Sequence, residues 1–459
     1  MSVLAAALVL LPFVAAWAWL ARLPAESAAG RLGMAMAFGA SVTSGAFFVA
    51  RWLGLPPTGY VAAEVAASLA VLILIMGWRS ALKAETVAPP EASPRRAAAG
   101  VLIGLVTALA ALALGREIMA RPHGGWDGWA IWNPLAVFLS QSGDAWLGAL
   151  ATDLPAFHTD YPLLVPASVA RVWVMLGDRA GWVPAAIGAW FATATALIVV
   201  GSIWQLRGPA WALAAAGLLL TPEFLAQGAN QMADVPLACF IAAAVVSFTG
   251  APSSTRRSIL AGVAAGSAAW TKNEGLAAAL VLLTLFVVAS WRARGAAAAR
   301  ETTADLAIGA GPLLVLLACF KLLIAPDNDV MAGLNAPGVM RYWLDGDRVG
   351  FAAREMVRGL VTWGGWPGPI PPALLVALAW ASPRPRVETT GAWTAGAAVL
   401  LLVVVFFVVY VMTPHSIAWH IQTSWARLVT QLWPTLVWSA IAVRGPVVSG
   451  PPAWVRPSG

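Results

Sequence analysis

Gly124-Gly125-Trp126-Asp127-Gly128-Trp129-Ala130-Ile131-Trp132-Asn133 and, further along, His158-Thr159-Asp160-Tyr161-Pro162-Leu163-Leu164 interrupt a chain that is otherwise a succession of apolar runs. Asp127, Asp144, Asp153, His158 and Asp160 all fall between Gly124 and Pro166. Asp127 and Asp160 sit in aromatic, proline-bounded sequence rather than in loose polar loop. A pair of positioned acids on a loop held at a membrane surface suits general-base or metal-assisted chemistry.

Composition sets the solvent. Of 459 residues, 60% are hydrophobic and only 11% charged, against about 25% charged in soluble domains. A soluble core of any size is excluded, and long apolar runs without ten-residue alternation imply helices rather than an outer-membrane barrel. The net charge of +7 comes from basic residues scattered among helix ends, as positive-inside anchors are, so no nucleic-acid partner is expected. Cys239 and Cys319 lie in apolar runs and read as buried thiols. Val3–Leu20 lacks a basic n-region and a small-residue cleavage site, so a retained helix is expected.

Working outward, Val3–Leu20, Leu32–Leu53, Tyr60–Trp78 and Ala97–Gly115 each approach the roughly 20 residues of a membrane helix. Arg22 and Arg31 place the first connection in the cytoplasm, and Arg79, Lys83, Arg95 and Arg96 do the same for the third; Arg51 alone argues otherwise. Alternation then puts Gly124–Pro166 outside. Within that loop Asn133-Pro134 reads as a cap and first helical residue. The short segments to Gln141 and over Leu163–Leu176 read as interfacial helices, the second having an ordinary short span as its alternative.

Spans resume at Trp182–Trp204 and continue to Leu428–Val443, giving about thirteen, with Arg207, Arg256, Arg257, Arg292, Arg294, Arg300, Arg384, Arg386 and Arg444 on cytoplasmic ends. Asp234 opens one span, and Thr271-Lys272-Asn273-Glu274-Gly275 marks an outer helix end. Pro326–Pro369 is a second polar region, with Asp327, Asp329, Arg341, Arg348, Arg354 and Arg358; its outside arginines are a candidate anion site or a solvated loop with local ion pairs. The last outer connection carries His415, His420, Gln422 and Arg427.

Taken in order, Asp127 after a span, Asp160-Tyr161-Pro162-Leu163-Leu164, Ala233-Asp234-Val235-Pro236-Leu237 and Trp270-Thr271-Lys272-Asn273-Glu274-Gly275 resemble the GT-C superfamily of integral-membrane glycosyltransferases. The likeness is to the branch of the lipid A aminoarabinose transferases and dolichyl-phosphate-mannose mannosyltransferases, and it covers roughly Gly124 to Leu285. Tyr161 stands where relatives often carry Lys, and three spans precede the one that would come first. The resemblance implies an all-α GT-C-like bundle with N-terminal membrane helices over 1–96, a catalytic membrane core over 97–325 with its outer loop at 116–181, and an outer loop with C-terminal helices over 326–459.

It further implies transfer of a sugar from a polyprenyl-phosphate donor to a glycan, lipid or protein acceptor at the outer face of the cytoplasmic (inner) membrane, among membrane lipids. Asp127 would be the base, and Asp160 would orient the acceptor or join Asp127 around a divalent metal, Mg or Mn. Lys272, then Arg341 and Arg427, would meet the lipid phosphate. His158, Tyr161 and Glu274 would contact substrate. Trp126 and Trp129 would stack on sugar rings or form an interface aromatic belt. The rival class is a transporter or flippase, whose translocation path also carries charges in the membrane; a repeat of two matching halves would favour it, and none is seen. A non-catalytic scaffold would leave the paired acids unexplained.

Overall fold

The computed structural model describes residues 3–20, 27–77, 94–150, 158–249, 254–326, 341–381 and 390–442, and every regular element among them is helical. In order these are α1 (Val3–Leu20), α2 (Ala28–Trp52), α3 (Pro57–Gly77), α4 (Pro94–Ala120), α5 (Asn133–Leu139), α6 (Leu164–Leu176), α7 (Val183–Arg207), α8 (Pro209–Leu219), α9 (Pro222–Ala229) and α10 (Asp234–Phe248). There follow α11 (Thr255–Thr271), α12 (Asn273–Arg294), α13 (Ala296–Leu323), α14 (Gly346–Thr362), α15 (Ile370–Ala381), α16 (Thr390–Met412) and α17 (Ile417–Ala442). A π-helical turn, Gly128–Trp132, leads into α5, and a 3-10 turn, Gly143–Leu150, follows it.

Among the described residues seven helices, α2, α3, α4, α7, α12, α13 and α16, are long and apolar enough to cross a membrane, and α8 with α9, bent by 62°, would make an eighth. The chain is a multi-pass membrane protein. The expected count of about thirteen includes α1, α10 and α15, which are apolar but shorter. Asp153 and the expected anchors Arg22, Arg79, Lys83, Arg384, Arg386 and Arg444, with Asp327 and Asp329, lie outside the described residues.

α10 is the centre of the bundle: all of its residues are buried, and α7, α11 and α17 pack around it. Its 15 residues span about 22 Å at 1.5 Å per residue, short of the roughly 30 Å hydrocarbon core. Its first residue, Asp234, is buried like the rest. The connection from α11 to α12 is a single extended residue, Lys272, which turns the chain back sharply. Gly275 makes this possible: a Cβ there would lie 1.8 Å from the Ala268 carbonyl oxygen. Gly275→Ala is expected to lower stability by about 1–3 kcal/mol, the usual cost of overpacking. Thermal melting of the detergent-solubilised protein measures this, and an unchanged melting point would contradict the packing described.

Several expectations need correction. Leu163–Leu176 reads as a helix lying against lipid, but α6 is enclosed by protein, with every residue from Leu164 to Trp173 buried. Its Arg171 is compensated inside the protein: Nε donates to Glu64 Oε2 of α3 at 2.8 Å, Nη2 donates to Glu64 Oε1, and Nη2 also reaches the Val9 carbonyl of α1 at 3.2 Å. Asn133 does not cap α5, because the preceding π-turn runs straight into the helix; its Nδ2 donates to Gln231 Oε1 at 2.8 Å instead. The last helix begins at Ile417 rather than Leu428, so Arg427 is a helix residue and not part of a connection. Its early turns are secured by Trp425, whose indole donates to the Met356 carbonyl at 2.8 Å. Arg51, the exception to the positive-inside pattern, is a buried brace that donates to the carbonyls of Gln141 and Gly143.

Candidate functional site

The turn between α9 and α10 grips the Asp127 loop. Gly125 N–H donates to the Asn230 carbonyl at 3.0 Å, Gln231 Nε2 to the Pro122 carbonyl at 3.0 Å, and Arg121 Nη1 to Asn230 Oδ1 at 3.2 Å. A Cβ on Gly128 would lie 2.5 Å from the Asn230 carbonyl oxygen, so the loop and the turn touch backbone to backbone. Asp127 immediately precedes the π-turn, yet its side chain makes no capping bond. Its Oδ2 instead accepts from Arg427 Nη2 at 2.7 Å.

Arg427 links this acid to a second. Its Nε meets Asp234 Oδ2 at 3.0 Å, while Asp234 Oδ1 accepts from Gln431 Nε2 at 2.6 Å and from Lys272 Nζ at 3.1 Å. Arg427 and Gln431 are four residues apart on α17 and so share a face. Lys272 also contacts Glu274 Oε1 at 3.0 Å. Burial alone would lower the Lys272 pKa; Asp234 and Glu274 outweigh that, and the ammonium is held above its ordinary value.

Asp160 is the acid of a neighbouring arm, where Asn273 Nδ2 donates to its Oδ2 at 2.8 Å and Lys321 Nζ lies 3.1 Å from the same oxygen. Tyr161 joins the arms. Its ring stacks on His158 at 4.9 Å and on Trp132 at 5.5 Å, with Lys272 Nζ 5.9 Å from its centroid. Burial first, then Glu274 among the nearby carboxylates, pushes the Tyr161 pKa well up, so its hydroxyl is a donor and not a base. His158 holds its place in the stack with a left-handed backbone, φ 44°.

The structure thus brings together Asp127, His158, Asp160, Tyr161, Lys272, Glu274 and Arg427 from the sequence expectation. Arg341 is not among them: it is exposed, and no described contact ties it to the cluster. Trp126 and Trp129 are exposed on the loop and pack edge to face against each other at 5.9 Å. Sequence reasoning missed Lys321, Asn273 and Gln431, which sit inside or at the start of apolar helices, and Asp234, read from the sequence as the residue that opens a span, lies at the centre of the network. Lys321 had a signal, being an ammonium near the end of a long apolar helix.

Three polar atoms of the site are buried with no protein partner: Glu274 Oε2, Gln431 Oε1 and Trp132 Nε1. Buried polar atoms are nearly always paired, and ligand or water usually accounts for those that are not. Two acceptors and one donor suit a ligand that carries hydroxyl groups. Among the described residues, no three His, Cys, Asp or Glu side chains converge in a way that would hold a metal ion; Asp127 and Asp160 meet separate cations. No protein-family model, curated protein or solved structure matches the chain.

Proposed function

We propose that the chain is a membrane glycosyltransferase of GT-C type that moves a sugar from a polyprenyl-phosphate donor to an acceptor hydroxyl at the outer face of the cytoplasmic membrane. The observation that carries this reading is the unpartnered set of Glu274 Oε2, Gln431 Oε1 and Trp132 Nε1, buried among three cations and four carboxylates. Hydroxyl-bearing and anionic parts of one substrate would each find partners there. Sidedness supports the orientation. Counting α1, α8 with α9, α10, α11, α15 and α17 as crossings gives thirteen, and consecutive crossings then bring every site residue to one end. Arg207, Arg256, Arg257, Arg292 and Arg294 fall at the opposite end, as the positive-inside trend requires of a cytoplasmic face.

In this reading Asp127 takes the proton of the acceptor hydroxyl as the new glycosidic bond forms, and Asp160 orients the acceptor. The departing lipid phosphate needs positive charge. Lys272, the first choice on sequence, and Arg427 are each held by two carboxylates; Lys321, with 27% of its side chain exposed and Asp160 as its ion-pair partner, is better placed to turn to an incoming anion. Tyr161 donates its hydroxyl to substrate.

Asp127→Asn keeps the size of the side chain and an acceptor for Arg427 but removes the base. Transfer from a radiolabelled polyprenyl-phosphate sugar pool into membrane acceptors is expected to fall about 10²- to 10⁴-fold at matched expression and melting temperature. Wild-type transfer that survives the substitution would remove Asp127 from the role. Lipid-linked sugar that crosses proteoliposomes without being transferred would replace the enzyme with a flippase.

A further inference from the structure

The arginines between Pro326 and Pro369 take no part in the site, and the structure separates them by task. Arg348 is consumed internally: its Nε donates to the Val411 carbonyl at 2.7 Å and Nη2 to the Thr413 carbonyl, while its guanidinium lies 4.4 Å from the Tyr342 ring. It thereby closes the C-terminus of α16. Arg354 lies 5.7 Å from the Phe351 ring of its own helix, but no described hydrogen bond ties its guanidinium or that of Arg358 to another element. Their side chains are 69% and 75% exposed, and both lie at the edge of contact with one carboxylate, Glu355, at 3.9 and 3.8 Å. One acid cannot neutralise two guanidinium groups.

Both project from α14, a helix with two unlike faces. Asp345 caps its start by accepting from Arg348 N–H at 3.0 Å. Ala352 and Met356 are buried, and Gly359 lies so close to the Trp425 ring that a Cβ would come within 2.4 Å of it. That face is fixed on α17. The remainder carries Arg354 and Arg358 beside exposed Val357 and Val361, with exposed Leu344 and Trp366 just beyond the two ends. Large apolar side chains interleaved with arginines fit neither bulk water nor hydrocarbon. They fit the headgroup layer, where aliphatic groups reach the acyl boundary and guanidinium groups stay at phosphate level.

We propose that α14 is an interfacial helix whose Arg354 and Arg358 bind the phosphate headgroups of anionic phospholipids. The charge is of the right sign, an arginine fork matches a phosphodiester, and the flanking valines supply insertion that a soluble anion would not use. The helix rests on α17, the helix that also carries Arg427.

The test is native mass spectrometry of the full chain drawn from vesicles of equal parts phosphatidylglycerol and phosphatidylcholine. Wild type is expected to retain phosphatidylglycerol preferentially. Arg354→Gln with Arg358→Gln lowers the retained ratio by about fivefold per arginine, the effect of one basic residue near an anionic surface. Arg354→Lys with Arg358→Lys keeps most of the preference, because the charges remain. No preference in the wild type, no change in the glutamine pair, or an equal fall in the lysine pair would each overturn the proposal. Loss of the preference to millimolar inorganic phosphate at constant ionic strength would assign the patch to a soluble anion and overturn it as well.

Discussion

Asp234→Ala is expected to destabilise the protein by about 3–5 kcal/mol, the range for removing one partner of a buried ion pair. Asp234 is 1% exposed and accepts from Lys272, Arg427 and Gln431 at 3.1, 3.0 and 2.6 Å. Without it, the carboxylate partners left among the described residues are Glu274 for Lys272 and Asp127 for Arg427. The Gln431 amide loses its acceptor too. The two cations would repel each other across the space left by the carboxylate, in a buried position. Pairing Asp234→Leu with Lys272→Met removes opposite charges together and is expected to recover most of the melting temperature, because both charges and their desolvation penalties go together. It would not recover transfer, since Arg427 would no longer be held from two sides. Melting of Asp234→Ala alongside wild type in detergent would show that the network contributes little. A double variant no more stable than Asp234→Ala would show that Asp234 does not act through Lys272.

How much of this could be read from the sequence depended on whether the signal was local. The α11–α12 break was legible, because Thr271-Lys272-Asn273-Glu274-Gly275 interrupts a long apolar stretch and the structure puts an extended residue at Lys272. Asp234 as the first residue of its helix was legible for the same reason. The enclosure of α6 by protein was not. Its apolar and small residues suit an interfacial helix as well as an internal one, and the deciding partner of Arg171 is Glu64, 107 residues away. Lys321 and Gln431 were also hidden by distance: each lies in a helix whose local sequence reads as an ordinary apolar segment, and each acquires its role from an acid far away in the chain, Asp160 in the loop before α6 and Asp234 at the start of α10. Arg51 argued against the topology for the reverse reason. A charge counted as a membrane-side marker proved to be a hydrogen-bond donor to loop carbonyls. Pairwise charge satisfaction is a property of the folded bundle, and a run of residues does not carry it.

Arg171→Met is the second large expected loss, again about 3–5 kcal/mol, and it tests whether the N-terminal helices support the site. The substitution leaves the Glu64 carboxylate, 6% exposed, among apolar helices with the Tyr60 hydroxyl as its remaining donor. Glu64→Leu in the same chain removes the stranded charge, and the double variant is expected to melt near or above wild type, as replacements of buried ion pairs by well-packed apolar residues often do. Function distinguishes what the pair is for. α6 begins four residues after Asp160, and Arg171 ties that helix to both α1 and α3. If the tie sets the position of Asp160 and Tyr161, the double variant folds well yet loses transfer. If it is only one way to bury two residues, the double variant is as active as wild type and the N-terminal helices do not position the acids. A single variant as stable as wild type would mean that Glu64 finds another partner or water, which the enclosed position of the pair argues against.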